Sequence, residues 1–248
     1  MMAYPTVRVT GTGRGRLADW LRRGLDLVFP PRCVGCRRVG TWFCQSCVAS
    51  IEPIPQPICR CCGRPIPHAG FCIQCRAHAS PLSGNRSAAV HSGALREAIH
   101  HLKYQGRREL AGPLGEVLFA YWRNLAVPVD LVVPVPLHAS RERARGYNQA
   151  GLLADVLACC AQLQLNDGDL VRTRDTPPQV GLKADERRAN VQDAFLWTGP
   201  SLKGMKVLLI DDVCTTGATL EACARELRRG GADSVWALTL ARPLEPTG

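Results

Sequence analysis

Residues 206–219 read KVLLIDDVCTTGAT. The segment 205–211 carries an apolar run without polar alternation, which predicts a strand buried on both faces, as central strands of parallel sheets are. The run stops at Asp211-Asp212, and Val213-Cys214-Thr215-Thr216-Gly217-Ala218-Thr219 leads into a helical pattern over 219–230 that ends at Gly230-Gly231. Free amides at a helix N-terminus, with small hydroxyl residues around them, cradle a phosphate. Gly217 lets the backbone close around such an anion. Two adjacent carboxylates beside that cradle repel a phosphate, so they make sense only if the same ligand also presents hydroxyls for them to accept from. A phosphate on one side and a diol on the other describe ribose 5-phosphate. The competing reading, in which Asp212 caps a turn before an ordinary helix, leaves an Asp-Asp pair after an apolar strand without purpose.

Outward from this stretch the pattern alternates. Strands are expected at 87–92, 130–136, 169–174, 205–211 and 234–242, and helices at 93–104, 109–125, 148–164 and 219–230, with a polar loop through 190. Such alternation predicts an α/β fold with a mostly parallel sheet flanked by helices. Upstream the composition changes. Residues 1–16 read as a disordered leader, 17–76 as an amphipathic helix followed by a cysteine module, 77–86 as a linker, and 87–248 as the α/β domain. In 17–29 the apolar residues Leu17, Trp20, Leu21, Leu25 and Val28 recur at helical spacing, and so short a helix ending at Pro30-Pro31 is expected to dock on its own domain rather than on a membrane. No apolar run is long enough to span a bilayer, and the N-terminus lacks the apolar core of a secretory signal, so the expected location is the cytoplasm.

Thirteen cysteines are many for that compartment, and nine lie between Cys33 and Cys75. Eight form four C-x-x-C pairs: Cys33/Cys36, Cys44/Cys47, Cys59/Cys62 and Cys72/Cys75. Each pair curls the backbone so that two thiolates face one ion, and two such knuckles complete a tetrahedron. Two structural zinc ions are therefore expected, ahead of iron–sulfur clusters. Pairing in sequence order and a crossed arrangement are both open, and Cys61 is an unpaired neighbour able to compete as a ligand. Gly63 suits the positive φ that ends a knuckle. Cys159 and Cys160, on an apolar helix pattern, are expected in the core. The charge is uneven: residues 1–80 hold eleven basic and three acidic side chains, of a whole-chain net charge of +10. That excess fits contact with nucleic acid; it is also what two zinc ions held by eight thiolates would offset.

Together these motifs resemble the ComF family of competence-associated proteins, which join a double zinc ribbon to a type I phosphoribosyltransferase domain. The resemblance covers roughly 17–242, with LKY at 102–104, VVPVPLH at 132–138, RARGYNQA at 143–150, RTRDTPPQVGL at 172–182 and ERRANVQDAF at 186–195 in support. Cys214 departs from it, standing where relatives carry a bulkier residue. The resemblance implies that Asp211 and Asp212 hold the ribose hydroxyls of phosphoribosyl pyrophosphate, and that Thr215, Thr216, Gly217, Ala218 and Thr219 hold its 5-phosphate. Pro136, Leu137 and His138 would form the pyrophosphate loop. Arg141, Arg143, Arg145 and, from the hood at 172–190, Arg187 would neutralise the pyrophosphate that Mg²⁺ accompanies. Lys103 is a candidate base. The implied partners are phosphoribosyl pyrophosphate or a related ribose phosphate, and single-stranded DNA or DNA-uptake proteins. A binding module that only senses the ribose phosphate is the alternative to a transferase with an unknown acceptor. Trp42, Phe43 and Phe71 are the ribbon's aromatics, available to stack bases or to form its core.

Overall fold

The computed structural model describes residues 30–174 and 193–244. The leader, the helix expected at 17–29 and Arg187 lie outside the described residues. Two short helices come first, α1 (Gln45–Ala49) and α2 (Ile73–Ala77), each beginning right after a cysteine. Then follow β1 (Gly84–Val90), α3 (Gly93–Tyr104), a 3₁₀ turn at Arg108–Leu110, α4 (Ala111–Trp122), β2 (Leu131–Pro134), α5 (Ala139–Arg145), α6 (Gln149–Ala161) and β3 (Gln164–Leu165). The chain continues with β4 (Leu170–Arg172), β5 (Phe195–Trp197), β6 (Lys206–Val213), α7 (Ala218–Arg229) and β7 (Ser234–Arg242).

Five strands form one sheet in the order β1-β7-β6-β2-β3, parallel throughout. β4 and β5 make a separate antiparallel ribbon. Both faces of the sheet are covered, which explains the absence of polar alternation in β2 and the first half of β6. Leu208 and Ile210 pack with α3, α4 and α6, while Val207 and Leu209 pack with α7. This is the α/β fold with a mostly parallel sheet that the alternation predicts. Among the described residues no helix is long and apolar enough to cross a membrane.

Several elements depart from expectation for local reasons. β1 begins at Gly84, so the last three positions of the expected linker are strand, paired with Trp236, Ala237 and Leu238. The arginine-rich stretch after the β2 loop is helix α5: the His138 ring accepts from the Ser140 N–H, and Gly146 stops the helix at φ +81. The helix expected through 164 ends at Ala161, because Gln162 turns left-handed and 164–165 joins the sheet edge as β3. Cys159 is exposed and Cys160 half-buried, since the buried stripe of α6 runs through Leu153, Ala154, Leu157 and Ala158 and the helical period carries 159 off it.

Candidate functional site

The eight paired cysteines gather into two clusters, Cys33/Cys36/Cys44/Cys47 and Cys59/Cys62/Cys72/Cys75, with the sulfurs of each within 4.8 Å of one another. Pairing is therefore in sequence order, and Cys61 stands outside both sets. A zinc–sulfur bond of about 2.3 Å in a tetrahedron sets sulfurs roughly 3.8 Å apart. The observed separations are 3.6 Å for Cys33–Cys47, 3.5 Å for Cys36–Cys44 and 3.8 Å for Cys62–Cys72, which fits structural zinc. Backbone amides prepare the thiolates. The Cys44 N–H points at Cys33 Sγ (3.4 Å) and the Cys72 N–H at Cys59 Sγ (3.3 Å). Burial pushes the Cys33 and Cys59 thiols up, but such N–H donors outweigh it and bring each down to about 6.

The clusters attach to the α/β body differently. Cys33, Phe43, Cys44 and Cys47 belong to the same buried cluster as Leu95, Ile99, Leu102 and Leu114, so the first ribbon half is part of the core. Gly35 permits this approach: a Cβ there would lie 2.8 Å from both the Ala94 Cβ and Cys47 Sγ. Trp42 is held under the Arg107 guanidinium at 4.7 Å. No cysteine of the second cluster lies in either apolar core cluster; polar bonds dock it on β1 and β7 instead. The Asn85 N–H donates to the Cys61 carbonyl (2.7 Å), Arg86 to the Arg60 carbonyl (3.0 Å) and Arg242 to the Cys62 carbonyl (2.6 Å). The expected separation of ribbon and α/β domain by 77–86 is thus absent from the packing.

At the carboxyl end of β6 the strand runs on through Val213, further than the apolar run suggests. Period-two alternation then turns the two aspartates to opposite faces. Asp212, 2% exposed, lies on the α3 side, where Lys103 Nζ reaches its Oδ1 at 2.7 Å; its Oδ2 finds no partner among the described residues. Burial pulls the Lys103 ammonium down, yet Asp212 holds it above its ordinary value, so Lys103 stays protonated and is not free to take up a proton. Asp211 is half-buried on the other side and accepts the Asp212 N–H at 2.8 Å. Burial, with the neighbouring Asp212 carboxylate adding to it and Lys103 opposing, raises the Asp211 carboxyl to about 7. Beyond them Thr215 is exposed, Thr216 caps the Ala218 N–H (3.4 Å), and Gly217 at φ +87 is the N-cap of α7, whose first residues are Ala218 and Thr219.

The second loop comes from the neighbouring strand. Pro134 pairs with Ile210, and the Val135 N–H donates to the Ile210 carbonyl (2.8 Å), so Pro136, Leu137 and His138 leave β2 at the same end of the sheet. The main chain of His138 also pairs with Arg172 of β4. Arg141, Arg143 and Arg145 follow on α5: Arg143 is exposed, and Arg145 donates to Gln149 while lying 5.4 Å from the Tyr104 ring. Behind this loop a cavity of about 630 Å³ is lined by Pro136, Leu137, Tyr147, Asn148, Leu170 and Arg172. Asn85 and Arg242, which meet under the β6 turn, carry no motif and escape a reading of the sequence.

Residues 24–76 match the family described as double zinc ribbon domain, and 144–248 the phosphoribosyl transferase domain. The DNA utilization protein YhgH of Escherichia coli (strain K12) is 33% identical over 228 residues, covering 88% of this chain and 100% of the relative. Competence protein ComFC of Bacillus subtilis (strain 168) is 32% identical over 207 residues, 80% of this chain and 83% of the relative. Competence protein F of Haemophilus influenzae (strain ATCC 51907 / DSM 11121 / KW20 / Rd) is 29% identical over 224 residues, 85% of this chain and 96% of the relative.

Proposed function

Because the chain belongs to the ComF family, a double zinc ribbon joined to a phosphoribosyltransferase domain, we propose that it binds phosphoribosyl pyrophosphate with Mg²⁺ and transfers the phosphoribosyl group, serving DNA uptake or nucleotide metabolism in the cytoplasm. One observation carries the reading. Adjacent parallel strands, β6 and β2, deliver the carboxylate pair with its phosphate turn and the Pro136–His138 loop at one end of the sheet, where open α/β sheets bind ligands. In this reading the amides of Thr215–Thr219 receive the 5-phosphate and Asp211 and Asp212 the ribose hydroxyls, with Lys103 holding Asp212 in place. Arg141, Arg143 and Arg145 draw charge from the leaving pyrophosphate as the sugar becomes cationic. Mg²⁺ favours oxygen ligands, and the half-buried Asp211 carboxylate is of that kind. The cavity behind the loop has the size of a small-molecule acceptor site.

Calorimetric titration with phosphoribosyl pyrophosphate and Mg²⁺ tests this. A hydrogen bond to a charged group contributes roughly 1.5–3 kcal/mol, so Asp211→Asn is expected to weaken binding about tenfold or more. The wild-type affinity should rise from pH 6 to pH 8 as Asp211 ionises near 7, and the variant should lose that step. Stability has the opposite sign. The folded value lies above the unfolded one, so the Asp211 contribution is full below about pH 4 and is lost as pH rises through about 7. Unaltered affinity in Asp211→Asn and Asp212→Asn alike would overturn the reading.

A second reading has its own observation. Phe71 is 47% and Ile73 85% exposed beside Arg76 on the second cluster, a surface suited to stacking and backbone contact with single-stranded DNA while the ribose site senses a ligand. It requires DNA binding that falls steeply with salt and that Phe71→Ala weakens by about 1–3 kcal/mol.

A further inference from the structure

Two residues link the Cys59/Cys62 knuckle to the phosphate turn, Arg242 through its side chain and Asn85 through its main chain on one side and its side chain on the other. Arg242, the last residue of β7, is 4% exposed; its Nη2 donates to the Cys62 carbonyl at 2.6 Å and to Cys214 Sγ at 3.1 Å. Asn85 of β1 is 2% exposed and donates its Nδ2 to the same sulfur at 3.2 Å, while its N–H holds the Cys61 carbonyl at 2.7 Å. Gly63 presses on this junction, since a Cβ there would lie 2.2 Å from the Asn85 carbonyl oxygen. On the other side of the sulfur is the turn itself: a Cβ at Gly217 would lie 3.8 Å from Asn85 Nδ2 and 3.9 Å from Cys214 Sγ. Neither side chain is fully satisfied among the described residues, Arg242 Nε and Asn85 Oδ1 being without partners. Burying polar groups in that state costs free energy that apolar residues of similar size would avoid, so packing alone does not account for them.

We propose that Arg242 is a positioning residue that couples the metal state of the Cys59/Cys62/Cys72/Cys75 cluster to the phosphate turn at 214–217, so that zinc there sets how tightly the turn holds a ribose phosphate. The ligand named here rests on the proposed function; the coupling does not. Zinc fixes the backbone at Cys62, Arg242 carries that position to the Cys214 sulfur, and the sulfur supports the turn from below. The first cluster, packed on α3, makes no such bond to Cys214 among the described residues.

The test is a double-mutant cycle on the full chain with Cys75→Ser and Arg242→Met, reading zinc content, deuterium uptake of the amides at 213–218, and calorimetric affinity for phosphoribosyl pyrophosphate with Mg²⁺. Cys75→Ser is expected to lose one zinc, to speed exchange in the turn at least tenfold and to weaken binding about tenfold. Arg242→Met should keep both zinc ions yet show the same two changes, the double variant should add little to either, and Arg242→Lys should recover part of the loss. Should Arg242→Met not fold, Cys214→Ala removes the shared acceptor and takes its place in the cycle. Effects that simply multiply, or turn exchange unmoved by Cys75→Ser, would overturn the coupling. Coupled exchange in a protein that does not bind the sugar phosphate upholds the coupling and defeats the proposed function. Tight binding unmoved in every variant does the reverse.

Discussion

Cys47 and Cys75 close two clusters of the same ligand type and spacing, yet Cys47 is 6% exposed within the apolar core over α3, while Cys75 is half-buried in a cluster that polar bonds at residues 60–62 dock on β1 and β7. One cluster is a wall of the hydrophobic core. The other is a clip whose carbonyls are held by Asn85, Arg86 and Arg242. Identical coordination chemistry thus has two structural meanings, set by what the outer face of each knuckle touches. Losing the first zinc should open the core, and losing the second should loosen a surface.

The largest expected difference is thermal. Structural zinc contributes folding free energy directly, so Cys47→Ser should lower the melting temperature by on the order of 10 °C or more, whereas Cys75→Ser should cost only a few degrees, each losing one zinc. Equal shifts would erase the distinction between wall and clip. Next come the matched aromatics. Phe43 is 4% exposed and Phe71 47%, so Phe43→Ala should cost about 3–5 kcal/mol in denaturant unfolding and Phe71→Ala no more than about 0.5 kcal/mol. A Phe71 cost comparable to that of Phe43 would mean the second cluster has an apolar dock after all. The smallest contrast is between the two glycines. A Cβ at Gly35 meets Ala94 Cβ, fixed to its helix, and Cys47 Sγ, held in the first cluster, both at 2.8 Å, and about 1–2 kcal/mol is expected for Gly35→Ala. Gly63 faces a backbone carbonyl and has φ +69, so Gly63→Ala should cost about 2–3 kcal/mol. The reverse order would show that the polar seam is the softer one.

Much of the site was legible because its signals are local. The aliphatic run of β6, the Asp211-Asp212 pair and Gly217 lie within eleven residues, and the strand–turn–helix they imply is present. The opposite facing of the two aspartates follows from the same alternation rule once the strand is carried to Val213, which the apolar run alone did not suggest. Helix α5 escaped because ASRERAR has no apolar stripe; a single cap at His138 and a stop at Gly146 define it. β3 and β5, of two and three residues, are too short to show a period. Arg242 looked like the end of a strand and Asn85 like linker, since nothing beside either in the chain marks it.

The sequence by itself determined the α/β alternation, the eight-cysteine set and the strand–turn–helix around Asp211-Asp212, because each depends on residue types a few positions apart. Only the tertiary structure decided which knuckles share an ion, that Lys103 pairs with Asp212, that one cluster is core and the other seam, and that Arg242 joins Cys62 to Cys214. Those outcomes depend on side-chain direction and on contacts between residues as far apart as Cys62 and Arg242. Such contacts are selected by how the layers pack, and no local period in the chain records them.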